Sequence, residues 1–288
     1  MIHKTIKKSE IQALITLLDD PDVTISETVS KKLIEMGRGV IADLEKVWET
    51  TINEQMQSKL EILIQDIQFN DIQQTLIDWR DHESENLLKG AYIIACFQYP
   101  ELKFERLTEE LEKIRKDIWI ELNDNLTALE KVRVFNHIMY EIHGFSGNTD
   151  NYYSPQNYYI NQVLETKKGN PVSLAIIYST LALKLDIPIY GVNLPKNFIL
   201  AYKDKYAISK EDDILFYINP YNRGSVLGKR EIDYFLKQQN IPPDTSYYNP
   251  CSNIIIIQRL LVNLISSYET IGQQDKIIRL KQLLDLFG

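Results

Sequence analysis

Residues 169–202 read GNPVSLAIIYSTLALKLDIPIYGVNLPKNFILAY. Asn170 is a residue type that caps helices, and Pro171 suits the first position of a helix. The residues that follow, as far as Asp186, are apolar on every side of the helix they would form. A helix that is apolar all round is buried in a protein core. The stretch therefore predicts a central buried helix over residues 171–185.

Three short apolar runs follow this helix. IPIYGVNL, NFILAYK and ILFYINPY are rich in β-branched and aromatic residues, and Pro, Asp or Gly bounds each of them. Such runs are typical of β-strands. We expect an antiparallel sheet that includes residues near 190–202 and 214–219 and that packs against the central helix.

Four motifs occur in a fixed order within residues 134–236: GNTDNYY, GNPVSL, LPKNF and NPY. They resemble the patterns Gly-Asn-x-x-x-Tyr-Tyr, Gly-x-Pro-x-Ser-Leu, Leu-Pro-Gly-His-Phe and Asp-Pro-Phe of a bacterial branch of the transglutaminase-like superfamily. Several motifs in order are more specific than any one of them. The resemblance implies an α+β fold with a papain/transglutaminase-like core, in which a central helix packs on a small antiparallel sheet and helical repeat-like segments flank it.

The resemblance also places the chemistry of this fold at the start of the central helix. Free amides and the positive end of a helix dipole favour a reactive anion there, and a histidine and an aspartate on the next strands complete the catalytic group. In this sequence Asn197 stands where the pattern has histidine, and Asn219 stands where it has aspartate. Asparagine cannot act as a general base near neutral pH. The resemblance therefore implies a degenerate core with no catalytic residues.

Ser173 leaves an alternative open, because it is kept within the helix motif. Whether it takes the place of the nucleophilic cysteine of true transglutaminases is not decided by the sequence. With an unrecognised base it would make the protein a serine-dependent hydrolase or acyl transferase, although the sequence places none of His3, His82, His137 and His143 on the strands. We expect a non-enzyme and keep the hydrolase as the rival.

The polar side chains of the core motifs suggest two different roles. Hydroxyl and amide groups supply both donors and acceptors, so they could form a pocket for a peptide or small polar ligand, or a satisfied cluster that holds the helix to the sheet. Loop tyrosines make good recognition surfaces, and the resemblance implies that three of the loop residues frame the site entrance. The candidate binding residues are Tyr152, Tyr153, Asn157, Asn170, Ser173, Asn197 and Asn219.

Helical patterns flank the core on both sides. Residues 1–80 are predicted to be helical, and LLDDPDVTISETVSKKLIEMGRGVIADL within them is similar to a HEAT repeat, which would serve either as a docking module or as a helical cap on the core. The core follows as residues 81–240. Residues 241–288 are predicted to form a helix pair, similar to a tetratricopeptide hairpin, that packs on the core. Since no Gly/Ser-rich or Pro-rich linker precedes residue 82, we also expect the first segment to dock on the core.

Composition excludes several functions. The formal net charge of −8 disfavours a nucleic acid or an anionic membrane as partner. The run CSNIIIIQRLLVNLI is too short to cross a bilayer and carries Arg259. No secretory leader is recognisable at the N-terminus, which favours the cytoplasm. Two isolated cysteines and the lack of phosphate-binding or metal-binding motifs favour no cofactor and no metal.

The function that these observations predict is the binding of a protein or peptide partner by a pseudoenzyme. A purely structural subunit of a larger assembly is a further possibility, and it would have a stable partner but no ligand in the pocket. The sequence does not name the partner.

Overall fold

The computed structural model describes residues 8–205 and 213–288. The chain divides into two compact units, Met1–Ile77 and Asp78–Gly288. Their boundary falls inside a helix of 29 residues, Glu54–His82, rather than in a linker.

The first unit contains helices and no strand in its described residues. Its helices are α1 (Lys8–Leu17), α2 (Val23–Met36), α3 (Ile41–Thr50) and α4 (Glu54–His82), of which the last residues belong to the second unit. Asp22 caps α2 by accepting a hydrogen bond from the amide of Thr24, and Gly37 ends this helix at a φ of 70°. The similarity of this unit to a HEAT repeat and its docking on the core stay predictions.

The second unit contains eight further α-helices and six strands in its described residues. The helices are α5 (Leu87–Cys96), α6 (Phe104–Glu121), α7 (Ala128–Asn136), α8 (Ile160–Thr166), α9 (Pro171–Leu183), α10 (Lys229–Gln238), α11 (Asn253–Ile271) and α12 (Gln274–Asp285). The strands are β1 (Ser146–Gly147), β2 (Lys168–Gly169), β3 (Ile189–Val192), β4 (Ile199–Lys203), β5 (Ile214–Asn219) and β6 (Ser225–Leu227).

Helix α9 is the centre of this unit. Eleven of its 13 residues are buried, and it packs against α5, α6, α8 and α11 and against strands β3 and β4. The sheet is antiparallel with the strand order β3-β4-β5-β6. Strands β1 and β2 form a separate parallel pair immediately before α9. The predicted α+β fold class, with a buried helix on a small antiparallel sheet, is confirmed.

Helix α11 is longer than the sequence suggested. Its 19 residues are long and apolar enough to cross a membrane by length and composition alone, which corrects the judgement that the segment is too short. Eight of these residues are buried, and the helix packs against α5, α9 and α12 as a core helix does. It also brings Arg259 to the beginning of α9, as described below.

Candidate functional site

The first turn of α9 is fixed by a reciprocal pair of hydrogen bonds. The side-chain oxygen of Asn170 accepts from the backbone amide of Ser173 at 2.9 Å, and the hydroxyl of Ser173 accepts from the amide of Asn170 at 3.1 Å. This is a capping box, which satisfies two amides that a helix start leaves without partners. Pro171 takes the first helical position, as the sequence predicts.

The Ser173 hydroxyl is occupied and inaccessible. It donates to the backbone oxygen of Asn157 at 2.7 Å, and the side chain of Ser173 has no exposed surface. The same oxygen of Asn157 accepts from the side-chain amide of Asn170 at 3.1 Å. Asn157, Asn170 and Ser173 therefore form a satisfied polar cluster that joins α9 to the preceding segment, whereas the sequence suggested a cluster that holds the helix to the sheet.

The side chain of Asn157 holds the tyrosine-rich loop. Its amide nitrogen donates to the backbone oxygens of Asn151 at 2.7 Å and of Tyr152 at 3.0 Å. Its oxygen accepts from the side chain of Asn148 at 2.8 Å. Asn157 is only 2% exposed, so these bonds are shielded from water. The buried asparagine thus determines where Tyr152 and Tyr153 lie.

A cavity of about 360 Å³ lies at the start of α9. Four segments form its wall: the loop residues Tyr152, Tyr153 and Tyr158, residues 170–172 at the start of α9, residues 196–198, and Arg259, Asn263, Ser266 and Ser267 of α11. The hydroxyl of Ser267 donates to the backbone oxygen of Tyr153 at 2.5 Å and so fastens the loop to α11. The helix residues at the cavity are therefore Asn170, Pro171 and Val172, and Ser173 is not among them.

Asn197 lines this cavity at the position where the superfamily pattern has histidine. Its side-chain oxygen accepts from the amide of Phe198 at 2.8 Å. It closes a turn in which its own amide donates to the oxygen of Leu194 at 3.1 Å and Lys196 has a φ of 60°. The turn places the side chain at the cavity, but an amide there cannot take up a proton.

Asn219 is not among the residues that line the cavity. Its side-chain oxygen accepts from the amides of Tyr221 at 3.1 Å and Asn222 at 3.2 Å, so it shapes the turn after β5. The ring of Tyr221 meets that of Tyr152 at 5.9 Å between centroids, and its hydroxyl donates to the backbone oxygen of Asn148 at 3.1 Å. Asn219 therefore shapes the turn that places Tyr221 against Tyr152, and its side chain does not line the cavity.

The guanidinium of Arg259 lies in the cavity wall and was not predicted as a site residue. Its Nη1 donates to the side-chain oxygen of Asn193 at 3.0 Å, and its Nη2 reaches the backbone oxygen of Asn197 at 3.5 Å. The Nε atom is buried and has no hydrogen-bond partner in the part of the chain that the structure describes. Desolvation lowers the pKa of this arginine, although Tyr152 and Tyr158 act in the opposite direction. A sequence signal existed, since Arg259 is the only charged residue between positions 253 and 268.

The structure thus separates the seven candidate binding residues into two groups. Four of them line the cavity: Tyr152, Tyr153, Asn170 and Asn197. The other three support it or lie behind it: Asn157, Ser173 and Asn219. The binding role of these residues stays a prediction.

The histidines do not supply a base to this cavity within residues 8–205 and 213–288. His143 pairs with Asp117 at 2.8 Å, His137 lies 3.6 Å from Glu141, and neither residue lines the cavity. His3 lies outside the described residues. In the same described ranges no cluster of three or more His, Cys, Asp or Glu side chains could hold a metal ion.

Comparison with known proteins identifies the class. The model of the transglutaminase-like superfamily matches residues 105–262, and the chain belongs to this superfamily. It is 30% identical over 205 residues to a UPF0162 protein of Xylella fastidiosa strain 9a5c, covering 69% of this chain and 70% of the relative. A UPF0162 protein of Vibrio cholerae is 28% identical over 156 residues, 54% of this chain and 55% of that protein.

A eukaryotic protein also matches about half of the chain. Human F-box only protein 21 is 29% identical over 153 residues, which are 53% of this chain and 24% of that protein. No solved structure matches the chain. The matches confirm the superfamily predicted from the motifs, whereas the HEAT-like and tetratricopeptide-like similarities stay predictions.

Replacing Lys196 with glycine should stabilise the protein by about 0.5–1 kcal/mol. Lys196 has a φ of 60°, a conformation that costs most residues about 1–2 kcal/mol and costs glycine nothing, while glycine loses part of this gain through its more flexible unfolded chain. Chemical denaturation of both proteins measures the difference. Lys196→Ala is the control, because it removes the ammonium contact with Gln239 but keeps the strained Cβ, and it should give no gain. A glycine variant less stable than wild type would contradict the assignment of strain.

Proposed function

We propose that this protein is a non-catalytic member of the transglutaminase-like superfamily that binds a peptide segment of a partner protein in the cavity at the start of α9. One observation carries the proposal: the serine of the helix motif has no exposed surface and spends its hydroxyl on the backbone oxygen of Asn157. The helix residues that do meet the cavity are Asn170, Pro171 and Val172. None of these side chains is a nucleophile.

The shape and lining of the cavity support binding of an extended segment. About 360 Å³ lies at the lower end of the range for ligand pockets, roughly 300–1,000 Å³, which suits one or two amino-acid residues rather than a folded domain. Tyr152, Tyr153 and Phe198 offer aromatic surface, and Asn197 and Asn263 offer amide donors and acceptors. On the sequence grounds given above, we propose a cytoplasmic partner that is neither a nucleic acid nor a membrane.

A tryptophan at Ser266 should block this binding. Ser266 is exposed and lines the cavity, so a large side chain there fills the mouth without entering the core. Peptides selected from a random displayed library on the wild-type protein should bind Ser266→Trp at least about tenfold more weakly, because a filled pocket loses most of its contact with a ligand. Fluorescence anisotropy with the selected peptides measures the change.

Thr270→Trp is the matched control, because Thr270 is exposed on the same helix one turn further on and does not line the cavity. It should leave binding unchanged. Equal binding by all three proteins would place the peptide site elsewhere and contradict the proposal.

The rival hydrolase is tested separately with a fluorophosphonate probe and a panel of esters and amides. Because the Ser173 hydroxyl is buried, we expect no labelling of the folded protein and no turnover above that of Ser173→Ala. Stoichiometric labelling at Ser173, lost in the alanine variant, would establish the hydrolase instead.

A further inference from the structure

The charge of the cavity wall is opposite in sign to that of the whole chain. The chain carries a formal charge of −8. The lining residues nevertheless include two cations, Arg259 and Lys196, and the described wall contains neither aspartate nor glutamate. Lys196 is exposed at the mouth, whereas Arg259 is half-buried in the wall. The cavity therefore favours an anionic ligand over a cationic one.

Among residues 8–205 and 213–288, the hydrogen-bond partners of Arg259 are all neutral. The side-chain oxygen of Asn193 and the backbone oxygen of Asn197 accept from its two terminal nitrogens. Its Nε is buried and unpaired, and none of the ion pairs formed by residues 8–205 and 213–288 includes Arg259. Removing a guanidinium from water without an anionic partner costs free energy, and a ligand anion in the cavity would offset that cost.

The beginning of α9 also favours an anionic ligand. Val172, the second residue of the helix, lines the cavity, and its amide has no acceptor within the helix. The positive end of the helix dipole lies at this turn. Arg259 from α11 and the start of α9 thus meet in one cavity wall, from two elements far apart in sequence.

The aromatic residues indicate what the anion is attached to. Tyr152 and Tyr153 pack edge to face with their ring centroids 5.2 Å apart, and Tyr158 and Phe198 also line the cavity. A planar guanidinium matches the two oxygens of a carboxylate, and an adjoining aromatic wall suits the side chain of an amino-acid residue. A small pocket with these two parts matches the carboxylate of a peptide and its neighbouring side chain.

We propose that the cavity binds its peptide through a carboxylate group, which Arg259 receives at the start of α9 while the tyrosines contact the adjoining residue. This inference rests on the proposed function, since it names the group that the peptide presents. The carboxylate belongs either to the C-terminus of the peptide or to an aspartate or glutamate side chain. Both sources offer the same two oxygens.

Three pools of acetylated tripeptides test the inference on the wild-type protein. The first pool has free C-terminal carboxylates and no acidic side chains, the second is the same pool with amidated C-termini, and the third is amidated and contains one glutamate. Binding is followed by the ¹⁵N resonance of the Arg259 Nε–H and by calorimetry. The first or the third pool should bind at least about tenfold more tightly than the second, because bonds to a charged acceptor are the strong ones. Whichever of the two binds more tightly identifies the source of the carboxylate.

Substitutions of Arg259 test whether this residue recognises the carboxylate. Arg259→Gln should abolish the preference for carboxylate over amide, and Arg259→Lys should keep only part of it, because lysine retains the charge but loses the planar fork. Arg223→Gln is the control, since it removes a guanidinium that pairs at the surface with Glu141 at 3.5 Å, and its preference should equal that of wild type. Melting curves verify folding of each variant, and the wild-type titration remains decisive if Arg259→Gln does not fold.

The outcomes separate the inference from the proposed function. Equal binding of all three pools would contradict recognition of a carboxylate but would leave the proposed peptide binding unaffected. No binding of any pool would overturn both. Tighter binding of inorganic phosphate than of either carboxylate pool, with the same shift of the Arg259 resonance, would overturn the peptide carboxylate in favour of a phosphate ligand.

Discussion

Replacing Asn157 with aspartate should lower the free energy of unfolding by about 4 kcal/mol at neutral pH. The change deletes the two hydrogen bonds that the side-chain nitrogen donates to the backbone oxygens of Asn151 and Tyr152, and it places a carboxylate oxygen against them. The site is 2% exposed, so water cannot replace the lost donors. Each buried group left without a partner costs about 1–3 kcal/mol, and a buried unpaired charge adds to that cost.

The cost should shrink as the pH falls. Burial opposite two carbonyl oxygens raises the pKa of the introduced carboxyl group above its unfolded value of about 3.9, because its neutral form can donate a bond and its charged form cannot. Stability is therefore retained below the unfolded pKa and lost as the pH rises through the folded pKa. Urea denaturation of the variant and the wild type between pH 4.5 and 8 measures this trend.

Asn219→Asp is the matched control, because the chemical change is identical but the environment is opposite. The side-chain oxygen of Asn219 already accepts from two backbone amides, a role that a carboxylate also fills, and the residue is only half-buried. It should change stability by less than about 0.5 kcal/mol. A cost at Asn157 no larger than that at Asn219 would contradict the role assigned to the buried amide.

Replacing Gly224 with alanine should cost about 3 kcal/mol. Gly224 has a φ of 70°, and a Cβ there would lie 1.9 Å from the side-chain oxygen of Asn136. Asn136 must then move, although its nitrogen bonds the oxygen of Gly224 at 2.8 Å and its oxygen accepts from the buried hydroxyl of Tyr178 at 3.0 Å. Backbone strain of about 1–2 kcal/mol and overpacking of about 1–3 kcal/mol act together.

A second glycine separates these two contributions. Gly272 has a φ of 71° and nothing within 4 Å of a built Cβ, so Gly272→Ala should show the backbone strain alone, about 1 kcal/mol. In an Asn136→Ala background, Gly224→Ala should cost only as much as Gly272→Ala does. If Gly224→Ala lowers the free energy of unfolding by the same amount in the wild-type and Asn136→Ala backgrounds, the clash with Asn136 is contradicted. Thermal and chemical denaturation of the wild type and the four variants measure these differences.

The parts of the fold that follow from local pattern could be predicted from the sequence. A long apolar run that follows an Asn-Pro cap predicts a buried helix. Helix α9 begins at Pro171 as predicted, although it ends at Leu183 rather than near residue 185. The early end has a visible cause, since the amide of Ile187 bonds back to the oxygen of Ala182 and Asp186 takes a positive φ. The strands could also be predicted from local pattern, because β-branched runs bounded by Pro and Asp are typical of strands.

The site depended on contacts that no local pattern contains. The motif does not show that the hydroxyl of Ser173 donates a hydrogen bond to the backbone oxygen of Asn157, 16 residues earlier in the chain. Asn219 stands at the aspartate position of the superfamily pattern, yet its side-chain oxygen accepts hydrogen bonds from two local amides in the turn after β5. Arg259 reaches the turn at Asn193, 66 residues away, so its place in the cavity needed the packing of α11 beside α9. Only its isolation in an apolar helix was visible beforehand.

The spread of the cavity wall along the chain has a consequence for biosynthesis. The wall begins with Tyr152 and is complete only with Ser267, in the second-last helix of the described chain. Domains fold as their residues emerge during synthesis, but a nascent chain that stops short of residue 267 lacks part of this wall. The arginine itself emerges more than 100 residues after the loop it faces. A partner that needs the complete cavity wall would therefore bind only chains whose translation has passed α11.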